Sequence, residues 1–372
     1  MVSIAILGFG IVGSGVASVL TRNREQIDAS AGEAVRLKYI VDVRDFPGSP
    51  YAPLLTRDFS VVERDPDVRV VVETIGGCGV ALEFTRRAIQ AGKHVVTSNK
   101  ALVAAHGREL LELAKLYNVN YLFEASVGGG IPVLRPLKFD LAANRITRIR
   151  GILNGTTNYI LTAMREEKLS LEAALDMARA RGYAEANPTD DLNGMDAARK
   201  LAILADLAWG REVKAEEISR TGIENVSLKD VECAARLGGK LKLICEAECL
   251  PDGGLRAFVA PQAVMPGSML FSVDEAFNAV LITGDALGDA MFYGTGAGSE
   301  PTASAVVGDV IDAVRHRDRR RAINWSGAPA ELRDPDGQSG RWFVRRGAVA
   351  AIEEQHPAVS DGEDAACYRV LE

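Results

Sequence analysis

Short, almost continuously apolar runs alternate with helix-periodic stretches through the first third of the chain. Val2–Leu7, Leu37–Val43, Val68–Ile75, His94–Thr97 and Val119–Phe123 read as strands. Ile11–Arg22, Ala81–Ala91 and His106–Tyr117 repeat apolar residues at helical spacing. Alternation of this kind predicts right-handed crossovers and a Rossmann-type, doubly wound parallel sheet. The unbroken Val/Ile runs predict strands covered on both faces. From about Glu124 the pattern changes. Glycines cluster at Gly128–Gly130, Arg145–Leu153 reads as a strand, and helices follow at Thr156–Glu166, Leu171–Arg181 (N-capped by Ser170) and Met195–Trp209. Lys240–Cys249 and Leu255–Val264 flank the turn Pro251–Gly254 as a hairpin, and Phe277–Gly284 with Asp289–Tyr293 forms a second. Ala303–Arg315, just after Pro301, is the last long helix. Beyond Ala328 the chain is rich in Pro, Gly and Asp, with a weak strand at Trp342–Arg345, and no internal repeat is visible. The fold class is therefore α/β: an N-terminal doubly wound parallel sheet plus a mixed α+β domain.

At 372 residues the chain suits two domains, and its 47% apolar and 25% charged composition is ordinary for an enzyme with a sizeable core. A net charge of −7 argues against a nucleic-acid partner, which demands a basic face. The one basic run, His316 to Arg321, reads as a solvated helix end. The five cysteines form no CxxC pair and no secreted-type framework, and Cys245 and Cys249 on an apolar strand read as buried thiols. Met1–Leu7 runs directly into the first strand, leaving no room for a signal peptide, and no apolar run reaches membrane-spanning length. The expectation is a cytoplasmic protein with no membrane partner.

Gly8-Phe9-Gly10-Ile11-Val12-Gly13 sits between the first strand and the first helix. Gly8 permits the tight turn, Gly10 admits a pyrophosphate to the backbone, and Gly13 allows close helix–strand packing. The helix N-terminus then presents unpaired N–H groups and the positive dipole end to phosphates. In this context the motif predicts dinucleotide binding. The second strand ends in Val41-Asp42-Val43-Arg44-Asp45, which offers an acid for a ribose hydroxyl and an arginine for a 2′-phosphate. The reading leans to NADP with NAD tolerated; Arg44 is either a phosphate ligand or a surface arginine.

Three further clusters carry chemistry. Asn99 and Lys100 follow a strand's C-terminal end, where crevices of doubly wound sheets open. Gly151–Asn158 packs Asn154, Thr156, Thr157 and Asn158 into one strand-to-helix junction, more hydrogen-bonding groups than capping requires. In Gly182–Lys200, the carboxylates Glu185, Asp190, Asp191 and Asp196 precede Lys200. Asp196 and Lys200 are either a helix ion pair worth about 0.2–0.5 kcal/mol or an acid/base lysine oriented by a carboxylate.

Together these motifs resemble homoserine dehydrogenase, in order from Val2 to about Val314: the glycine fingerprint, Val71–Gly77, Thr97–Leu102, Glu124–Pro132, Asn154–Leu161, Gly182–Lys200, and Gly294–Gly298 before Pro301–Val307. The resemblance implies reversible NAD(P)H-dependent reduction of L-aspartate 4-semialdehyde to L-homoserine, toward threonine, methionine and isoleucine. It makes Lys100 and Lys200 the catalytic lysines, with Asp196 beside them. It extends the cofactor site from Gly8, Gly10, Ile11, Val12, Gly13 and Arg44 to Thr74, Gly76, Ser98, Asn99, Lys100 and Gly296. The substrate site becomes Asn154, Gly155, Thr156, Tyr183, Glu185, Asp191, Asp196 and Lys200. A structural sodium-type cation is implied on the Glu124 side chain and the carbonyls of Val127, Gly129 and Ile131, oxygens that suit a hard ion. A homodimer is also a family expectation.

The reaction itself asks for such groups. Hydride addition to an aldehyde leaves charge on oxygen, which an ammonium stabilises and protonates. The substrate's α-ammonium needs carboxylates and its α-carboxylate needs N–H donors. A phosphorylating semialdehyde dehydrogenase would need a cysteine nucleophile, for which only Cys78 is near the cofactor end, and a dinucleotide sensor would have lost the lysines. His106 reads as a polar helix residue. The expected domains are 1–125 (dinucleotide), 126–300 (catalysis and dimerisation), 301–325 (a helix packing back on the nucleotide domain) and 326–372 (a docking tail or dimer contact). The stretch after Arg315 is too short for a typical regulatory domain, so strong threonine feedback is not expected.

Overall fold

The apolar runs of the first third become β1 (Val2–Leu7), β2 (Val35–Val41), β4 (Val68–Glu73) and β5 (His94–Thr97), joined at the edges by the short β3 (Leu55–Thr56) and β6 (Tyr121–Leu122). All six pair in parallel, in the order β3-β2-β1-β4-β5-β6. β1 is buried along its whole length because helices cover both faces. Those helices are α1 (Ile11–Arg22), α2 (Arg24–Ala31), α3 (Phe59–Arg64), α4 (Gly79–Gln90) and α5 (Lys100–Leu116). The order reverses between β1 and β4, the switch point where ligand crevices form.

The computed structural model describes residues 1–323, 325, 327–334, 340–354 and 364–372. The chain divides into two compact units: Met1–Leu141, Asp206–Glu212 and Ala297–Ala328 in the first, and Ala142–Ala205, Val213–Gly296 and Pro329–Glu372 in the second. The first unit thus runs on to Leu141, with the Glu124 N–H and the Arg135 guanidinium both held by Asp309 of the same unit.

The second unit holds α6 (Gly155–Glu166), α7 (Leu171–Ala180), α8 (Thr189–Leu192), most of α9 (Met195–Trp209) and α10 (Leu228–Arg236). Its strands are β7 (Ile146–Ile152), β8 (Ser219–Arg220), β9 (Lys240–Cys249), β10 (Leu255–Val264), β11 (Phe277–Gly284), β12 (Gly288–Thr295), β13 (Trp342–Arg346), β14 (Val349–Glu353) and β15 (Ala365–Leu371). They form one mixed sheet in the order β12-β11-β7-β9-β10-β15-β13-β14, with β8 also on β10. The described residues of the tail thus contribute three strands to this sheet. β15 pairs in parallel with β10, and Arg345 on β13 is buried against Asp230 at 2.5 Å. Asp230 also closes the Ser227 capping box of α10. Parts of the tail, 335–339 and 355–363, lie outside the described residues.

In the first unit, α11 (Ser299–Arg315) packs against α1. Gly15 makes this approach possible: a Cβ there would sit 2.6 Å from Ser299 Oγ and 3.2 Å from the Ala303 methyl. Val306, Val310 and Val314 join Val16, Leu20, Ile4, Ile6, Val70 and Val72 in one core. Each such side chain contributes about 1.5–3 kcal/mol on full burial. Further departures are local. α5 begins at Lys100, not His106, because the Asn99 side chain accepts the Leu102 N–H at 3.1 Å as an N-cap. α2, α3 and α10 are short helices that apolar periodicity does not single out. Cys245 is buried, whereas Cys249, near the strand's end, is only half-buried. No helix of the described residues is long and apolar enough to cross a membrane.

Candidate active site

The glycine turn after β1 is held as its sequence requires. Gly8 adopts φ +89°, and its N–H donates to Val41 O at 2.8 Å. A Cβ on Gly13 would lie 2.0 Å from Gly8 O, so only glycine lets α1 start this close to the turn. Above Gly10 there is open space, bounded by Arg44 Nη2 at 3.9 Å from an ideal Cβ. α1 has no side-chain cap, and Ile11 in its first turn is exposed while Val12 is half-buried. The first-turn N–H groups are thus left for an anion, and the cradle fits a dinucleotide pyrophosphate.

Asp42, the acid at the tip of β2, faces inward. Its Oδ2 accepts the Phe9 N–H at 2.6 Å and Arg44 Nη2 at 2.9 Å; its Oδ1 accepts the Arg44 N–H at 2.9 Å and Nε at 3.0 Å. The Arg44 guanidinium holds this carboxyl down at about 2. Arg44 also lies 5.1 Å over the Phe46 ring, so it is fixed beside the glycine turn while its outer face stays exposed. Thr74 uses its hydroxyl on Gly8 O at 2.7 Å, bracing the turn from below. Gly76 and Gly77 follow at φ +85° and +66°. Asn99 is buried, Ser98 and Lys100 half-buried, at the carboxyl end of β5. Sequence reasoning passes over Glu73 and Thr97 beside them. The one signal available is a lone carboxylate ending the run Val-Val-Val-Glu.

In the second unit, α9 presents Asp196 and Lys200 on one face. Lys200 Nζ is buried, donating to Asp196 Oδ2 at 2.7 Å and to Leu153 O at 2.7 Å. Asn154 caps α6 through Oδ1, accepting the Thr157 N–H at 2.8 Å, and turns its Nδ2 to Asp191 at 2.7 Å and Asp196 at 2.9 Å. The Gly151–Asn158 junction and the Gly182–Lys200 block thus meet in one network of two carboxylates, one amide and one ammonium. Cys245 lies close by, its thiol pushed up to about 12 by burial, so it stays neutral.

Other expected members stand apart from this network. Glu185 is exposed, and Asp190 pairs with Arg199 at 2.5 Å. Tyr183 is half-exposed, its ring 4.8 Å from Tyr159, and only its carbonyl joins, accepting the Thr156 hydroxyl at 2.6 Å. Gly155 is a packing glycine, since a Cβ would meet Ala276 O at 2.7 Å. Gly296 lies in the second unit against Asn278, 2.0 Å from an ideal Cβ.

The Glu124 carboxylate is held by backbone N–H groups. Oε1 accepts the N–H groups of Val133 (2.6 Å) and Leu134 (2.8 Å), and Oε2 that of Arg135 (2.7 Å). The carboxylate caps a helical turn that continues through Pro136–Asp140. Gly128 and Gly130 are packed by Ile131 O and Pro301.

A parallel sheet with a glycine-turn dinucleotide cradle, and a buried lysine paired with an aspartate, define a nicotinamide-dependent oxidoreductase. Comparison with known proteins names the family. A profile described as the NAD binding domain of homoserine dehydrogenase matches residues 8–124, and one described as homoserine dehydrogenase matches 132–311. Homoserine dehydrogenase of Synechocystis sp. is 44% identical over 323 residues, covering 84% of this chain and 73% of the relative. That of Corynebacterium glutamicum is 44% identical over 324 residues, covering 85% and 72%. The crystal structure of a homoserine dehydrogenase from Thiobacillus denitrificans superposes with a TM-score of 0.90 at 32% identity, covering 100% of this chain and 98% of that one. A hyperthermophilic archaeal homoserine dehydrogenase mutant in complex with NADPH gives 0.70 at 28%, covering 84% and 97%. The chain belongs to the homoserine dehydrogenase family, oxidoreductases of amino-acid biosynthesis.

Proposed function

We propose that this protein reversibly reduces L-aspartate 4-semialdehyde to L-homoserine with NADPH in preference to NADH, toward threonine, methionine and isoleucine. The observation that carries the reading is the buried Lys200 ammonium, held by Asp196 and the Leu153 carbonyl. When bound, the nicotinamide ring supplies or accepts the hydride. Lys200 has three N–H bonds, two of them held by Asp196 and Leu153 O; the third serves the substrate oxygen, stabilising the charge that develops there and delivering the proton. In the oxidative direction the same nitrogen receives the proton. Asp191 and Asp196 supply the negative charge that the substrate's α-ammonium requires, and Asn154 keeps them in register. Lys100 is the second catalytic lysine, at the positive N-terminal end of α5.

Preference for NADP rests on Arg44. With both Asp42 oxygens occupied, the acid is spent on orienting the arginine rather than on a ribose hydroxyl. A homodimer in the cytoplasm is part of the same proposal, supported by the family kinship. No cation step is included. The test is oxidation of L-homoserine at alkaline pH with NADP⁺ and NAD⁺ compared. Reduction of NADP⁺ at the higher kcat/KM supports the reading. Protein that binds dinucleotide yet reduces neither cofactor overturns it.

A further inference from the structure

Glu73 is an anomaly in the nucleotide unit. It is a fully buried carboxylate at the end of β4 with no cationic partner among the described residues, and burial raises its pKa above the ordinary glutamate value. Such a group is costly unless its hydrogen bonds are put to use. Its Oε1 accepts the Ile75 N–H at 2.8 Å, and its Oε2 accepts the Thr97 hydroxyl at 2.6 Å. The Thr97 oxygen in turn accepts the Asn99 N–H at 2.9 Å. Asn99 Nδ2 donates to Gly77 O at 2.6 Å, while Oδ1 caps α5. The bonds close a ring that runs from the loop after β4 to the loop after β5 and back.

We infer that Glu73 and Thr97 are positioning residues, which lock the Thr74–Cys78 loop to the Thr97–Lys100 loop and thereby set Lys100 for the reaction. The inference rests on Lys100 being a group of the active site, as proposed above. Two consecutive left-handed glycines, Gly76 and Gly77, give the first loop little shape of its own, so its conformation must be imposed from outside. The ring imposes it. The same ring fixes the N-terminus of α5, whose first residue is Lys100. Neither Glu73 nor Thr97 need touch substrate; each acts through Asn99.

The test compares Thr97→Val, which removes the hydroxyl at nearly constant shape, with Thr97→Ser, which restores it. Three quantities are read on the purified full chain: melting temperature, Kd for NADP⁺ by titration calorimetry, and kcat and KM for L-homoserine well below melting. We expect Thr97→Val to lower kcat about tenfold or more with a smaller change in KM, and to weaken NADP⁺ binding, because misplacement of order 1 Å is expensive in catalysis. Thr97→Ser should recover both to within about twofold. Thr97→Val that melts earlier but keeps kcat and Kd overturns the inference, as does Thr97→Ser as impaired as Thr97→Val. If Thr97→Val does not fold, Asn99→Asp keeps the helix cap but sets a carboxylate oxygen against Gly77 O, and wild-type kcat and Kd in that variant overturn the inference equally. Wild-type protein inactive toward homoserine would sink the proposed reaction instead, and the NADP⁺ Kd series would then still judge the ring.

Discussion

Replacing Lys200 by Met removes the charge while keeping most of the buried stem. Lys200 Nζ lies 2.7 Å from both Asp196 Oδ2 and Leu153 O, with the pair's side chains 11% and 4% exposed. Two losses follow. The first is structural: Asp196 keeps Asn154 but loses its ion partner, and breaking a buried pair from one side costs about 3–5 kcal/mol. The second is catalytic. Loss of one preorganised donor at a developing oxyanion costs about 10²–10³ in rate, and loss of general acid–base assistance about 10²–10⁴. Because one nitrogen serves both roles, the effects do not multiply. The expected fall in kcat is about 10³–10⁴, or roughly 4–5.5 kcal/mol at 1.36 per decade. The assay is homoserine oxidation followed at 340 nm, with NADP⁺ affinity measured in parallel, which should stay near wild type because the cradle is built by β1, α1 and the tip of β2. A folded Lys200→Met protein retaining more than about a tenth of wild-type kcat would refute the assigned role.

Other consequences are open to measurement. Gly13→Ala would drive a methyl to 2.0 Å from Gly8 O, and NADP⁺ affinity by calorimetry should fall by roughly 100-fold, with α1 displaced. Arg345→Met leaves Asp230 buried without its partner and should cost about 3–5 kcal/mol in urea unfolding, with tail strands digested early in limited proteolysis. His94 is buried and its pKa is lowered to about 4 by desolvation. The folded imidazole refuses a proton that the unfolded one takes up below about 6.5, so stability is complete above that pH and falls by about 3 kcal/mol on the way to about pH 4. Asp309, pushed up to about 7 by burial and by Glu124, acts in the opposite sense in this window. The difference between His94→Asn and wild type in urea unfolding at about pH 7 and about pH 4.5 therefore isolates the imidazole, and equal slopes would refute it.

Long elements with one strong period are legible in the sequence alone. β1, α1, α9, β9, β10 and β11 carry enough apolar residues in register that tertiary context cannot override them. Shorter pieces depend on partners distant in sequence. α10 has its signal in Ser227 and Asp230, a capping box that apolar periodicity does not weigh. β15 is half-buried along most of its length and shows no clean alternation, because it is clasped between β10 and β13. The site divides in the same way. Spacing brings Asp196 and Lys200 together on one helix turn, but nothing local says that Asn154 bridges Asp191 to Asp196, or that Glu185 is left exposed. Glu124 is instructive: the N–H groups it accepts belong to Val133, Leu134 and Arg135, which nothing in its local sequence announces. Glu73 and Thr97 leave almost no trace in the sequence, because most of the bonds they organise run to backbone groups of loops, and any residue supplies those.

The position of α11 has a consequence for how the protein is made. Val306, Val310 and Val314 complete the cover over α1 and the parallel sheet, yet they lie far downstream of the strands they shield. During synthesis at about 5–20 residues per second, the first 141 residues emerge roughly ten to thirty seconds before α11 does. Through that interval the face of the sheet that carries α1 lacks α11's cover over β4 and β5. A fragment ending at Leu141 would keep the whole glycine turn and every strand of the parallel sheet, and would still be prone to stick to chaperones or to itself. The nucleotide unit, although it opens the chain, is finished late.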